Sequence, residues 1–149
     1  MGRAHLARPF FERDTPMPIV VDASVIIAVI ANEPVKSTLI ALTRGEELVS
    51  PHSLPWEIIN AFSAMFKRKA IELPLASMAV DEFLRIPIRF VDIDLQRSLE
   101  LSHSLKVYAY DAYMIACAEQ VGCRLLTLDR GLLNAARIAG VDVVEVPAP

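Results

Sequence analysis

The sequence predicts an α/β fold with a mainly parallel, five-stranded sheet flanked by helices. Short β-branched apolar runs alternate with segments of helical period, and Pro and Gly fall between them. Strands separated by helices imply right-handed crossover connections that leave helices covering a parallel sheet. The chain has 149 residues, 54% of them hydrophobic, which is enough to bury one core. We therefore predict a single domain over residues 18–149.

Strands are predicted where β-branched apolar runs are short and bounded by turn residues. They are Ile19–Asp22, Glu47–Ser50, Ile88–Ile93, Arg124–Thr127 and Val143–Val146. The predicted helices are Val25–Asn32, Val35–Arg44, Leu54–Lys69, Pro74–Arg85, Leu95–Leu105, Ala112–Val121 and Gly131–Ala139. Ser53 suits the N-cap of the third helix, and Pro55 is tolerated in its first turn. Gly122 suits the C-cap of the sixth.

Residues 1–17 mix charged and apolar side chains, so they are predicted to be a flexible extension, a vector remnant or an overlong start, and not a secretory signal. The apolar run around Val25–Ala31 is far shorter than the roughly 20 residues that cross a bilayer. Cys117 and Cys123 suit small buried side chains in a reducing compartment better than a disulfide framework. We expect a cytoplasmic protein with no membrane contact.

The formal net charge of −3 argues against a protein that coats nucleic acid through bulk positive charge. Any nucleic-acid binding must therefore be local. His5, His52 and His103 are far apart, with no zinc-like spacing to each other or to the cysteines. We predict no zinc site.

Four acids map to one edge of the predicted sheet, where strands end and helices begin and where ligands usually bind. Asp22 ends the first strand, Glu57 and Asp111 open helices, and Asp129 follows the strand that ends at Thr127. Taken singly, Asp22, Asp111 and Asp129 could be N-caps, and Glu57 an ordinary solvated acid. Their apolar surroundings weaken that interpretation, because acids gathered there would repel one another and resist ionisation.

A divalent cation would resolve this conflict, and ligands that are all oxygen favour Mg²⁺ or Mn²⁺ over zinc. The chemistry that follows is metal-assisted hydrolysis of a phosphodiester. Asp92 and Asp94 also follow a strand, but we assign them structural roles, with Asp94 as an N-cap. The helical acids Asp81 and Glu82 are expected to form a solvated face.

Two further groups have both a structural and a nucleic-acid interpretation. The basic residues Lys67, Arg68 and Lys69 could contact RNA phosphates, although a solvated helix end is favoured. Tyrosines are concentrated around the start of the sixth helix and could stack on bases, although packing against the core is favoured. They are Tyr108, Tyr110 and Tyr113.

Four segments together resemble the PIN-domain ribonucleases, and most closely the VapC-type toxins of bacterial and archaeal toxin–antitoxin pairs. They are VVDASVIIAVI, WEIINAF, YDAYMIACAE and LLTLDRGL, in the family's order, and the resemblance covers nearly everything from Pro18 onward. Each segment alone is a weak signal, whereas all four in a chain of this length are fairly specific. The N-terminal extension and the Pro-rich entry SPHSLPWE depart from the family's pattern.

The resemblance implies a parallel five-stranded sheet and an acidic pocket of Asp22, Glu57, Asp111 and Asp129 that holds Mg²⁺ or Mn²⁺. Ser24 and Thr127 would supply hydroxyls to the metal-bound water or to its ligands. The implied reaction is endonucleolytic hydrolysis of RNA by an activated water, without a covalent intermediate. The implied partners are a cognate antitoxin, whose tail inserts near the pocket, and a second copy in a homodimer.

Two alternatives remain beside the nuclease. The first is a catalytically inactive PIN-like module for protein interaction, against which the presence of all four acids counts. The second is an unrelated Asp-dependent α/β protein, either a phospho-acceptor receiver or an aspartyl-phosphate phosphatase. A phosphatase would show D-x-D after its first strand, where this chain has D-A-S, and a receiver would show a lysine late in the sheet, which is absent here.

Overall fold

The computed structural model describes residues 15–148. Most of the extension predicted over residues 1–17 lies outside the described residues. The part that is described, Thr15 to Met17, is exposed and precedes the first strand. The main-chain carbonyl of Met17 accepts a hydrogen bond from Glu47 N, so the chain is already aligned with the sheet at this point.

The sheet has four parallel strands, and all four occur where strands were predicted. They are β1 (Pro18–Val21), β2 (Glu47–Pro51), β3 (Ile88–Val91) and β4 (Arg124–Leu126). Their order is β3-β2-β1-β4, and the register sets Val20 beside Val49 on one side and Leu125 on the other. The carboxyl ends of the strands therefore lie along one edge.

The fifth predicted strand, Val143–Val146, is wrong. Val143 forms only an isolated bridge with Leu125. Leu125 N donates to Asp142 O, and Val144 N donates to Leu125 O. The backbone pairing does not extend beyond these two hydrogen bonds. Because β4 is only three residues long and the chain then turns into the acidic site, it offers no longer edge for a fifth strand.

Helices occur at all seven predicted places. They are α1 (Ala23–Ile30), α2 (Lys36–Thr43), α3 (Leu54–Lys67), α4 (Leu73–Arg85), α5 (Leu95–Leu105), α6 (Ala109–Val121) and α7 (Arg130–Ile138). Asp94 is an N-cap, as predicted, and so are Asp22 and Asp129, for which capping was one of two interpretations; each accepts a hydrogen bond from a backbone N–H in the first turn. Asp111 is not a cap, because α6 begins earlier than predicted, after Tyr108.

The core lies between the sheet and α6, which packs against β1, β2 and β4. Along α6, every residue from Met114 to Ala118 is buried, as are Ile19, Val20 and Val21 on β1. Each fully buried Val, Leu or Ile stabilises the fold by roughly 1.5 to 3 kcal/mol. The edge that carries the acids therefore rests on a rigid base.

The remaining helices complete the layers around this core. The α5 helix packs against α6, while α1 contacts α2, α3 and α4. Pro55 lies in the first turn of α3, where its missing N–H leaves no helical hydrogen bond unmade. Within the described residues, none of the helices is both long enough and apolar enough to span a membrane. Both cysteines are free thiols, as the sequence predicted.

Candidate active site

The structure brings all four predicted acids to the carboxyl edge of the sheet, each on a different element. Asp22 follows β1, Glu57 and Asp111 lie in the first turns of α3 and α6, and Asp129 caps α7 just after β4. Their electrostatic fields overlap. Besides burial, the charges of Asp22 and Asp111 raise the pKa of Glu57, and the charge of Asp129 raises the pKa of Asp22 and Asp111.

Asp22 is the buried centre of the site, with only 6% of its surface exposed. Its Oδ1 accepts hydrogen bonds from Ser24 Oγ at 2.6 Å and Val25 N at 3.2 Å, and its Oδ2 accepts one from Thr127 Oγ1 at 2.7 Å. Burial raises the pKa of Asp22, and these bonds oppose the rise. Because a carboxylate has about four lone-pair sites, one direction on Oδ2 accepts no hydrogen bond from residues 15–148.

The two predicted hydroxyls both point at Asp22. Thr127 Oγ1 donates to Asp22 and accepts from Asp129 N at 3.0 Å, so one hydroxyl links two acids. Ser24 Oγ donates to Asp22 and accepts from Leu128 N at 3.0 Å. These bonds connect the end of β1 to the end of β4. Both hydroxyls therefore contact Asp22, a candidate metal ligand.

Glu57 is held by Ser53, which was predicted to cap α3. Ser53 occupies the predicted N-cap position of α3, but its hydroxyl makes no capping bond and donates instead to Glu57 Oε2 at 2.8 Å. Burial raises the pKa of Glu57 to about 7, in spite of this bond. The signal was available in the sequence, because residues four apart in a helix lie on the same face.

Asp111 is the least restrained of the four acids. Within residues 15–148 its carboxylate accepts no hydrogen bond, whereas Asp129 Oδ1 accepts one from Leu132 N at 3.0 Å. Burial raises the pKa of Asp111 to about 6, and the charges of Asp129 and Asp22 add to the rise. Asp111 is therefore free to reorient toward a ligand while its neighbours stay fixed.

Among residues 15–148, no basic side chain forms an ion pair with the four acids of the site. The ion pairs between described residues involve other acids, namely Glu47, Glu82, Asp92, Glu100, Glu119 and Glu145. An arrangement of carboxylates without cations is costly at neutral pH. Oxygen donors with excess negative charge match a hard divalent cation in both type and charge.

The side chains are not already closed around a position for an ion. Within residues 15–148, no three Asp, Glu, His or Cys side chains stand close enough together to hold one metal ion as they are. The donor set therefore fits a cation in chemistry and charge, and binding requires side-chain movement. Asp111, which no hydrogen bond restrains, is the side chain best able to supply it.

The basic cluster lies away from the acids. Lys67 ends α3, and Arg68 and Lys69 follow it. With a helical rise of 1.5 Å per residue, Lys67 lies about 15 Å along the axis from Glu57. The predicted contact between this cluster and RNA stays a prediction.

The tyrosines differ from their favoured interpretation. Tyr108 is 91% exposed and Tyr110 is 39% exposed, so the prediction that they pack in the core is wrong. Tyr113 is partly buried. The acids chosen as structural behave as expected, because Asp81 and Glu82 are exposed and Asp94 caps α5.

Comparison with known proteins shows the family of this chain. A protein-family model described as PIN domain matches residues 19–138. A VapC ribonuclease of Mycobacterium bovis is 32% identical over 131 residues, which is 87% of this chain and 98% of the relative. Ribonuclease VapC9 of Mycobacterium tuberculosis matches with the same identity and coverage.

Solved structures share the fold. PAE2754 of Pyrobaculum aerophilum superposes with a TM-score of 0.66 at 24% identity, covering 85% of this chain and 83% of the other. VapBC2 of Rickettsia felis, solved with a DNA fragment from its promoter, gives 0.64 at 14% identity, covering 86% and 98%. VapC20 of Mycobacterium tuberculosis, described as a toxin that cleaves the sarcin–ricin loop, gives 0.57 at 16% identity, covering 78% and 94%.

Proposed function

The chain belongs to the PIN domain family, and from that premise we propose that it is a metal-dependent endoribonuclease, the toxin of a type II toxin–antitoxin pair. The observation that carries the proposal is the gathering of Asp22, Glu57, Asp111 and Asp129 at the end of a buried sheet, with no ion pair to a basic side chain of the described residues. The relatives named VapC ribonuclease support the substrate class.

We propose that the four acids hold Mg²⁺ or Mn²⁺. When bound, a divalent ion would supply positive charge that activates water and stabilises the charge developing on a phosphodiester. Asp22 presents the open direction of Oδ2, since its other directions are occupied by Ser24, Val25 and Thr127. Asp129 is fixed in the same way by its capping bond through Oδ1.

Glu57 is the proposed ligand whose protonation most affects metal binding near neutral pH. Burial raises the pKa of Glu57 to about 7 in the metal-free protein, so part of the population carries a proton on this carboxyl. The Ser53 hydroxyl donates to Oε2, which leaves Oε1 for the ion. Because the ion would bind the deprotonated carboxylate, metal affinity should rise as the pH rises.

We also propose a cognate antitoxin as a partner and a homodimer as the assembly, acting in the cytoplasm. An uncompensated acidic site can be neutralised by a basic side chain of an antitoxin. Trp56, Ile59 and Phe66 are exposed along α3, and exposed apolar patches of this kind mark protein contacts. Light scattering of the purified chain, alone and with a candidate antitoxin, tests both assemblies.

The experiment that tests the enzyme is cleavage of a mixed pool of structured and single-stranded RNA with Mg²⁺ or Mn²⁺. EDTA and Asp22→Asn should each abolish cleavage, whereas Asp81→Asn, which removes an exposed acid of α4, should cleave like the wild type. Cleavage that survives in Asp22→Asn contradicts the proposal. Absence of both cleavage and metal binding would favour the inactive PIN-like interaction module.

A further inference from the structure

The short segment Lys106–Tyr110, here called the tyrosine turn, consists of the connection between α5 and α6 and the first two residues of α6, and Asp111 follows it directly. Its two aromatic side chains point into solvent, and Tyr108 is the most exposed large apolar side chain among the described residues. Exposure of the apolar faces of these rings to water is unfavourable, and the rings add no packing to the core. Their exposure beside an acidic site indicates a ligand with a flat apolar face.

The turn is held rigidly despite its exposure. Val107 N donates to Ser102 O at 3.3 Å, and Ser102 Oγ donates to Val107 O at 2.7 Å, so both main-chain groups of Val107 are used. The carbonyl of Tyr108 accepts from Ala112 N at 3.2 Å, which anchors the turn to α6. The ring of Tyr110 lies 6.3 Å from that of Tyr113 at a tilt of 56°, which restrains its orientation.

The turn also lies at the right distance from the acids. Tyr108 is the N-cap residue of α6 and Asp111 is the third residue of that helix, and side chains at these two positions lie close enough to interact across the first turn. A planar group stacked on Tyr108 is therefore adjacent to whatever Asp111 contacts. The basic cluster at the far end of α3 has no such position.

Charge favours the same assignment. Lys106 is exposed, adopts a left-handed backbone conformation with φ of 55°, and forms no ion pair within residues 15–148. A chain of net charge −3 with an uncompensated acidic site repels phosphates, but stacking on a neutral ring is not opposed by that repulsion. One cation beside two rings can hold a nucleotide where bulk charge cannot.

We propose that the tyrosine turn binds an unpaired nucleotide next to the phosphate that is cleaved, with Tyr108 stacked on the base and Lys106 paired with a phosphate. The inference rests on the proposed ribonuclease function and adds the residues that position the RNA. The nucleotide must be unpaired, because bases inside a duplex are covered on both faces by their neighbours. Tyr108 and Lys106 are positioning residues.

The test is a binding titration that needs no cleavage. Every protein carries Asp129→Asn, which keeps a side chain able to cap α7 and removes one acid. Fluorescence anisotropy of a short labelled oligouridylate is followed with Mg²⁺ present, and a gel confirms that the strand stays intact. The variants are Tyr108→Ala, Tyr108→Phe and Lys106→Ala, and Ile138→Ala, at the last residue of α7, is the matched control for loss of an exposed apolar side chain.

Tyr108→Ala should weaken binding roughly 5- to 150-fold, Tyr108→Phe should restore it, and Ile138→Ala should leave it unchanged. Lys106→Ala should reduce the slope of log K against log salt by about 0.7. The effect of Tyr108 should vanish when the strand is annealed to oligoadenylate. Because Tyr108 is exposed, its removal leaves the core intact, which thermal unfolding checks.

The outcomes separate this inference from the ribonuclease proposal. If Tyr108→Ala and Lys106→Ala bind RNA like their parent, or if the parent binds no RNA, the assignment of the turn is overturned, even where the wild type cleaves. If Tyr108→Ala changes only the assembly state, the turn is a protein contact and the assignment is again overturned. If RNA binding depends on Tyr108 but the wild type never cleaves, the RNA-binding assignment of the tyrosine turn is supported and the ribonuclease proposal is contradicted.

Discussion

Replacing Glu57 by Gln should stabilise the metal-free protein at alkaline pH and leave its stability almost unchanged at acidic pH. The folded state raises the pKa of this carboxyl from its ordinary value of 4.5 to about 7, mainly through burial. Between those values the folded state holds a proton that the unfolded state has lost. The free energy of unfolding contributed by Glu57 therefore falls as the pH rises through this window.

The size of the effect follows from the same two values. A change of 4.5 to about 7 corresponds to about 3 kcal/mol at about 1.4 kcal/mol per pKa unit. Because the Glu57 side chain keeps part of its solvent contact, screening reduces this ceiling to about 1 to 2 kcal/mol. Glutamine can still accept the hydrogen bond from Ser53, so the substitution removes mainly the charge.

The assay is urea unfolding in EDTA at about pH 5 and about pH 8. The gain of Glu57→Gln over the wild type should appear at the higher pH, and Glu33→Gln, at an exposed acid, should show none. Adding Mg²⁺ should then stabilise the wild type more than Glu57→Gln, because a bound ion offsets the charge. An equal gain in the free energy of unfolding at both pH values, or a gain in the Glu33 variant, would refute the claim that burial raises the pKa of Glu57.

Three other substitutions test the supports of the site. Thr127→Val removes the hydroxyl that accepts from Asp129 N, and cleavage should fall roughly 10- to 100-fold while Thr127→Ser retains it. Ser53→Ala removes a bond that lowers the pKa of Glu57, so the pH dependence of Mg²⁺ binding should move to higher pH, and an unmoved dependence contradicts the role of Glu57 as a ligand. In Gly131→Ala the new Cβ would lie 3.2 Å from Asp129 Oδ1, so calorimetry should detect weaker Mg²⁺ binding, and unchanged affinity contradicts the importance of that oxygen.

Much of the site was predictable because its first determinants are local. An Asp that follows a strand and precedes a helix, such as Asp22 or Asp129, can cap that helix, and this requires only a few adjacent residues. The placement of four acids at one edge followed from strands and helices alternating along the chain. The order β3-β2-β1-β4, which brings β1 and β4 side by side, depends on tertiary packing.

The errors arose where tertiary partners decide between local options. The Ser53 hydroxyl could accept from a backbone N–H of α3 or donate to the Glu57 carboxylate, and in the structure it donates to Glu57. The segment at Val143 has a strand-like sequence, but β4 offers it only Leu125 as a partner. The aromatic side chains of the tyrosines suggested packing in the core. Tyr108, however, precedes the first residue of α6 and lies outside the core. Composition cannot locate a helix start to within three residues.

The capping and catalytic interpretations of the acids are not alternatives, because each oxygen has its own task. Asp129 uses Oδ1 for Leu132 N, and within residues 15–148 its Oδ2 accepts no hydrogen bond. Asp22 uses Oδ1 for Ser24 and Val25 and keeps one direction of Oδ2 open. Capping therefore fixes these two carboxylates in the orientation that presents their remaining oxygens to a ligand. The helix caps thus orient two of the acids, and the cost of burying and gathering the charges is seen in the raised pKa values of Asp22, Glu57 and Asp111.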